Sequence, residues 1–306
     1  MNPREKGFLL LTGQLGNPQR KPLTVAQFRK LSARVRDMMP PVTDREIRET
    51  DLSVLGYSKP DAERILQLLD DQDLLEHYLQ KARRAGCVPI TRVSQGYPVS
   101  VRRKLGDDSP GSLWAKGNIT LLGKPCIALV GSRDLWEQNY RFAAEAGRQA
   151  ARQGYVLVSG NARGADSVAQ KASLEAGGCV ISVVADRLDA HVSHERILYL
   201  AEDGFDMAFS AQRALSRNRV IHSLPQKTLV AQATVHRGGT WNGTVRNLSC
   251  GWSHVLCFDD GSEACQQLIQ RGAVGISLCQ LEDLSQLHGE CTNLFAEHIG
   301  RNNKKL

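Results

Sequence analysis

Four short strings in this sequence combine glycine, hydroxyl or amide side chains with arginine. They are Gly131-Ser132-Arg133, Ser159-Gly160 with Arg163 and Gly164, Arg217-Asn218-Arg219, and Gly238-Gly239-Thr240 preceded by Arg237. Residues of these types hold anions. Glycine lets a backbone come close to a ligand, a hydroxyl offers a hydrogen bond, and a guanidinium presents a planar fork that pairs with two phosphate oxygens. Each string lies where an apolar run gives way to a helical pattern, and there unpaired amides and the helix dipole favour negative charge. Arg217 and Arg219, either side of Asn218, suit phosphates or stacked bases. Trp241, just after the third glycine-rich loop, reads as core packing at the start of an amphipathic helix.

The same regions do not spell out a catalyst. Asp166, Asp186, Asp189, His191 and His194 lie near the strings, but their spacing marks neither a nucleophile-base pair nor a hydrolytic carboxylate pair. Asp166 is placed to cap the helix that follows it. The dinucleotide fingerprint GxGxxG is missing, and no acidic residue closes the second strand to hold a ribose, so NAD is not expected. Cys250, His254, Cys257 and Cys265 have the wrong spacing for a zinc finger, and "HVLCF" reads as a core strand. Neither a metal nor a cofactor is expected.

The elements that must position these strings begin near residue 125. Short apolar runs ("PCIALV", "YVLVS", "CVISVVA", "FDMAFS", "TLVAQA", "HVLCF") alternate with helical stretches over 134–154, near 165–176, 193–203, 216–224 and 241–249, and near 262–271. Strand and helix in alternation imply βαβ crossovers, hence an α/β, doubly wound, mostly parallel Rossmann-like sheet. In such a sheet the loops leaving the carboxyl ends of the strands gather along one rim, where ligands bind. Those loops read "GSRD", "SGNARGAD", "DRLDAH", "SAQRALSRNR" and "TVHRGGT", and each carries an arginine.

The first hundred residues differ. "TVAQFRKLSARVRDMM", stopped by Pro40 and Pro41, and "KPDAERILQLLDDQDLLEHYLQKARRAG" show helical spacing, with Ile65, Leu68, Leu69 and Leu75 on one face. A stretch rich in turn residues follows, with a short strand or two. The expected division is a small helical N-terminal domain with its connector over 1–110, the Rossmann-like domain over 111–280, and a short C-terminal helix and tail over 281–306. Of the net charge of +7, residues 1–116 carry +6, from 20 Lys and Arg against 14 Asp and Glu. Such a bias favours a polyanionic partner. The longest apolar runs are too short to cross a bilayer, the eight scattered cysteines outline no disulfide framework, and no secretory signal is visible. The expected setting is the cytoplasm, with no membrane partner.

Taken in order, "YP" at 97–98, "LWAKG", "IALVGSR", "SGNARGAD", "LEAGGCVISVV", "RNRVI", "GGT" and "LIQRGA" at 268–273 resemble the DNA-processing protein A family (DprA, also called Smf). That family is a branch of the Rossmann-like nucleotide binders related to lonely-guy proteins. The resemblance implies a non-catalytic protein that binds single-stranded DNA, helps load a RecA-type recombinase during DNA uptake, and often forms a homodimer. Carried over by motif, it adds Lys171 to the DNA contacts Ser132, Arg133, Ser159, Gly160, Arg217 and Arg219. The chain departs from the family pattern at Ala169-Gln170, where an Ala-His pair is usual, and at Gln232, where a Glu is usual. Two alternatives remain open: a sensor of a small nucleotide signal in the same crevice, and a lonely-guy-like nucleotide phosphoribohydrolase. The loop of the second is echoed by "RGGTWNGTV", which lacks the preceding Pro and the following Glu.

Overall fold

Strands whose residues alternate between two buried faces demand cover on both sides, and this chain supplies it. A computed structural model describes residues 1–37 and 47–287. The helical unit contains α1 (Pro3–Thr12), α2 (Val25–Arg36), α3 (Glu49–Val54), α4 (Lys59–Asp70) and α5 (Gln72–Arg84). Then come β1 (Cys87–Thr91), α6 (Val99–Leu105), β2 (Ser112–Gly117), β3 (Cys126–Val130), α7 (Glu137–Arg152), β4 (Val156–Ser159), α8 (Ala165–Glu175), β5 (Val180–Val183) and β6 (Ile197–Glu202). The remainder is α9 (Ala211–Ser216), α10 (Asn218–Ser223), β7 (Lys227–Val230), α11 (Gly238–Cys250), β8 (His254–Phe258), α12 (Glu263–Gln270) and β9 (Val274–Ile276).

All strands join one sheet in the order β1-β2-β6-β5-β4-β3-β7-β8-β9. From β6 to β9 every pairing is parallel, and β2 and β1 extend the sheet antiparallel. Ile127 and Leu129 of β3 face a core under α7 and α8. Ala128 and Val130 face the opposite core, shared with Val220 and Ile221 of α10 and Trp241 of α11. This is the doubly wound α/β architecture expected from the alternating pattern, and Trp241 is core, only 3% exposed. The N-terminal helices bring their own core around Leu31, Leu52 and Ile65. They also lay Leu10, Leu75 and Tyr78 against Trp114 of β2 and Phe205. No helix among the described residues is long and apolar enough to cross a membrane.

Several elements differ from the sequence expectation. The segment near 193–203, expected as a helix, is strand β6. Its residues alternate with period two: Leu198 and Leu200 enter the large core, Tyr199 and Ala201 the helical side. Pairing on both edges, parallel to β5 and antiparallel to β2, outweighs any local helical preference. "FDMAFS" at 205–210, expected as a strand, carries no regular structure. Phe205 is instead a buried plug against Tyr78 and Trp114. The long helical stretch after residue 59 breaks at Asp71 into α4 and α5. The expected stop at Pro40-Pro41 and the tail beyond residue 287 lie outside the described residues.

Candidate nucleic-acid interface

The loops after β3, β4, β5, β6 and β7 do meet at one rim, and two adjoining clefts open there. The larger, of about 900 Å³, is walled by Gly131, Ser132 and Arg133, by Arg217 and Asn218, and by Arg237, Gly238, Gly239 and Thr240. The smaller, of about 500 Å³, runs over Gly160, Asn161, Arg163 and Asp186. Arg133, Ala162, Phe209, Ala214 and Arg217 border both, so one ligand can lie across the pair.

The turns are locked to one another. Gly164, at φ +88°, packs against the carbonyls of Ser132 and Arg133, where any side chain would collide. The Ala165 amide donates to Ser132 O at 3.1 Å. Thr240 Oγ1 donates to Gly131 O at 2.8 Å, and Asn218 Nδ2 to Gly239 O at 3.1 Å. Gln232 ties the first turn down, accepting from the Trp136 amide at 3.0 Å and donating to Asp134 O at 3.2 Å. An amide can do both at once, which a carboxylate cannot. The helices α8 and α11 start at this rim, adding their N-terminal partial charges.

Arg217 is the centre of the arrangement. It sits between α9 and α10 with only 8% of its surface exposed, and its guanidinium occupies the space beside Gly160 that a side chain there would need. Neither its Nε nor its Nη1, both buried, finds a hydrogen-bond partner among the described residues. Burial pulls its pKa down, opposed chiefly by the Asp166 carboxylate nearby. Asp166 is itself pushed up by burial, opposed by Arg217 and by its bonds from the Ala162 and Gly160 amides, at 3.2 and 3.1 Å. A buried cation with idle donors is costly, of order 1–3 kcal/mol for each unsatisfied group. Arg217 borders both clefts, so an anion held there lies beside this poorly compensated charge. Arg133, exposed at the mouth, has no hydrogen bond or ion pair among the described residues.

Three of the expected contacts, Arg219, Lys171 and Ser159, do not border the clefts. Arg219 turns away from the clefts and donates from Nη2 to Glu202 Oε2 at 2.8 Å, making an internal ion pair. Glu202, also bonded by Ser216, is lifted by burial to about 7. Lys171 projects from an exposed face of α8 and sits 3.8 Å from Glu175. Ser159 is wholly buried under the second turn, and Arg163 pairs with Asp134 at 2.6 Å on the surface. His222, at the back of the larger cleft, is driven down to about 3 by burial and by the charge of Arg217, so it stays neutral.

Sequence reasoning misses other residues at the rim. Phe209 borders both clefts with 59% of its surface exposed, which suits a stacking platform. Its signal is an aromatic immediately before Ser210, which caps α9 by accepting from the Arg213 amide. Arg213 clamps this loop from inside: its Nη1 donates to Ala185, Met207 and Ala208 carbonyls within 2.9 Å. Arg237, already read with the glycines of "HRGGT", adds a third cation to the larger cleft.

The sequence matches the family model described as DNA recombination-mediator protein A over residues 89–288. The chain belongs to this family. Over 180 residues it is 32% identical to the DNA processing protein DprA of Streptococcus pneumoniae, covering 54% of this chain and 63% of that protein. Over 176 residues it is 30% identical to DprA of Bacillus subtilis, covering 54% and 58%. The chain thus spans about three fifths of the length of these curated relatives. The X-ray structure of S. pneumoniae DprA superimposes with a TM-score of 0.66 at 26% identity, over 87% of this chain and 99% of that one. DprA of Helicobacter pylori, a structure concerned with its unique single-stranded DNA binding mode, shares the fold at a TM-score of 0.54 and 20% identity, over 64% and 92%. The resemblance read from the ordered motifs and the Rossmann-like fold both hold, and the rim clefts fall inside the matched region.

Proposed function

We propose that this recombination-mediator family member binds single-stranded DNA across the two rim clefts, carries out no chemistry on it, and acts in DNA processing or recombination in the cytoplasm. The observation that carries the reading is Arg217, a buried guanidinium with idle donors bordering both clefts. Around it, Gly131, Ser132, Gly160, Asn218, Gly238, Gly239 and Thr240 shape the turns, Arg133 supplies a guanidinium fork for phosphates, and Phe209 supplies a face for a base. The exposed aromatic favours a strand with accessible bases over a duplex, whose bases are stacked inside. What supports a binding role without catalysis is the engagement of the nearby carboxylates. Asp166 caps amides, Asp134 pairs with Arg163, and Asp186 meets His191 at 3.0 Å. A RecA-type recombinase as partner and a homodimer as the acting form belong to the same proposal, and family membership supports them.

The test is a gel-shift comparison of single-stranded DNA, duplex DNA and mononucleotides at two salt concentrations. Preference for the single strand, weakening steeply with salt, is the expected result. Tight binding of a mononucleotide without strand binding would favour a nucleotide sensor, and release of free base would favour a phosphoribohydrolase. Either would overturn the proposal.

A further inference from the structure

A second cluster of cations lies outside the matched region, in the helical unit. α2 begins at Thr24, whose side chain accepts from the Gln27 amide in a capping box, so the helix presents Lys30 and Arg34 one turn apart on one side. That side faces the Gly56-Tyr57 turn between α3 and α4. Between them is a cavity of about 180 Å³, walled by Lys30, Arg34, Tyr57, Asp61 and Arg64. Three cations meet one carboxylate there, and Asp61 is already bonded to Ser58 Oγ at 2.7 Å.

Two features mark the cavity as more than a solvated charged face. Tyr57 walls the cavity, and its hydroxyl is buried with no hydrogen-bond partner among the described residues. Two of the three cations are also held in place. Arg64 donates from Nε and Nη2 to Lys21 O and from Nη2 to Pro22 O, at 2.9 to 3.2 Å, and the Arg34 guanidinium rests over the Tyr57 ring at 4.9 Å. Lys30 has no carboxylate partner among the described residues. The Arg34 guanidinium held over Tyr57, with Lys30 and the Nη1 side of Arg64 beside it, suits a phosphate group. The position of this pocket in the basic part of the chain, where residues 1–116 hold +6 of the net +7, suits a polyanion.

We propose that this pocket of the helical unit is a second phosphate-binding site that takes the sugar-phosphate backbone of the strand bound at the sheet rim. The site rests on the reading of the chain as a single-strand binder, and its test separates the two. Lys30→Gln removes an exposed cation at the pocket wall, Arg34→Gln removes the cation over Tyr57, and Tyr57→Phe removes only the idle hydroxyl. Binding is measured by anisotropy to polydeoxythymidylate and to an oligonucleotide of about 5 nucleotides, near the lower limit for one groove. The Lys30→Gln/Arg34→Gln pair should weaken the long strand about fivefold. It should also flatten the slope of log affinity against log salt by about 1.4, or about 0.7 for each phosphate no longer neutralised. Tyr57→Phe should weaken the long strand without lowering the melting temperature, and binding of the short one should stay unchanged throughout.

Unchanged affinity and slope for the long strand, with Arg217→Lys still impairing both oligonucleotides, would overturn this site and leave the rim proposal standing. Thermal stabilisation by inorganic phosphate that the pair abolishes, with no change in strand binding, would assign the pocket to a small free anion and overturn the backbone assignment. If Lys30→Gln alone folds normally and leaves the salt slope intact, the pocket makes no phosphate contact through Lys30, and the site as described fails.

Discussion

The guanidinium of Arg217 fills the space beside Gly160 where a side chain would begin, leaving no room there for a methyl group. One position thus joins the second anion turn to the buried cation. Gly160→Ala should displace the guanidinium while leaving the sheet intact, because the collision is with the end of a side chain and not with backbone. Single-strand affinity is expected to fall about tenfold or more, the value of a charge-assisted hydrogen bond. Anisotropy with a labelled oligonucleotide, beside a melting curve, reads both effects. Retained affinity would mean that Arg217 does not need its present place.

Phe209 stands 59% exposed at the border of both clefts, so its removal should cost no stability. Phe209→Ala is expected to weaken strand binding by about 1–3 kcal/mol, the range for one base–aromatic stack. An oligonucleotide carrying abasic sites should bind wild type and variant alike. A variant that loses affinity for the abasic strand as well would point to a role for Phe209 other than stacking.

Arg133 and Lys171 are both exposed cations, yet only Arg133 borders the clefts. Arg133→Ala should lower the salt slope by about 0.7, the single-strand increment for one phosphate. Lys171→Ala should leave both slope and affinity as they were. Equal losses in the two variants would place the strand over α8 instead.

Glu202 makes stability depend on pH. Its carboxyl titrates near 4.5 in the unfolded chain and at about 7 in the fold, where burial raises it against the pull of Arg219. Between these values the folded protein keeps a proton that the unfolded chain has released. Stability therefore falls as pH rises through that window and levels off above it, by about 3 kcal/mol at most. Glu202→Gln can still accept from Arg219 and Ser216, and should lose this contribution. Urea midpoints of both proteins at about pH 5 and about pH 8 give the comparison. Parallel changes in the two would exclude Glu202 as the source.

Much of the parallel sheet was legible because its strands are short apolar runs between helices with regular spacing, as "IALV" before Gly131 and "VLVS" before Gly160 show. β6 was not, since the Leu, Ala and Glu of "ILYLAE" favour a helix locally, and only its pairing with β2 and β5 decides the matter. The anion turns were readable from glycine and hydroxyl residues at strand ends. What single positions could not reveal was direction. Arg217 and Arg219 are two residues apart, and the short helix α10 sends the first to Gly160 and the second to Glu202. Phe209 was hidden for a similar reason: an aromatic in a run such as "FDMAFS" reads as strand core until the loop around it is seen to be held by Arg213.

Arg217→Lys keeps a positive charge beside Asp166, so the fold survives, but an ammonium cannot reproduce the fork. Titrating labelled oligothymidylate with wild type and this variant at low and moderate salt isolates the idle donors. About tenfold weaker binding of the variant at both salts, with an unchanged melting temperature, is the expected outcome. Equal affinity for the two proteins would mean that no phosphate reaches Arg217, and the rim clefts would not be the place where this chain holds DNA.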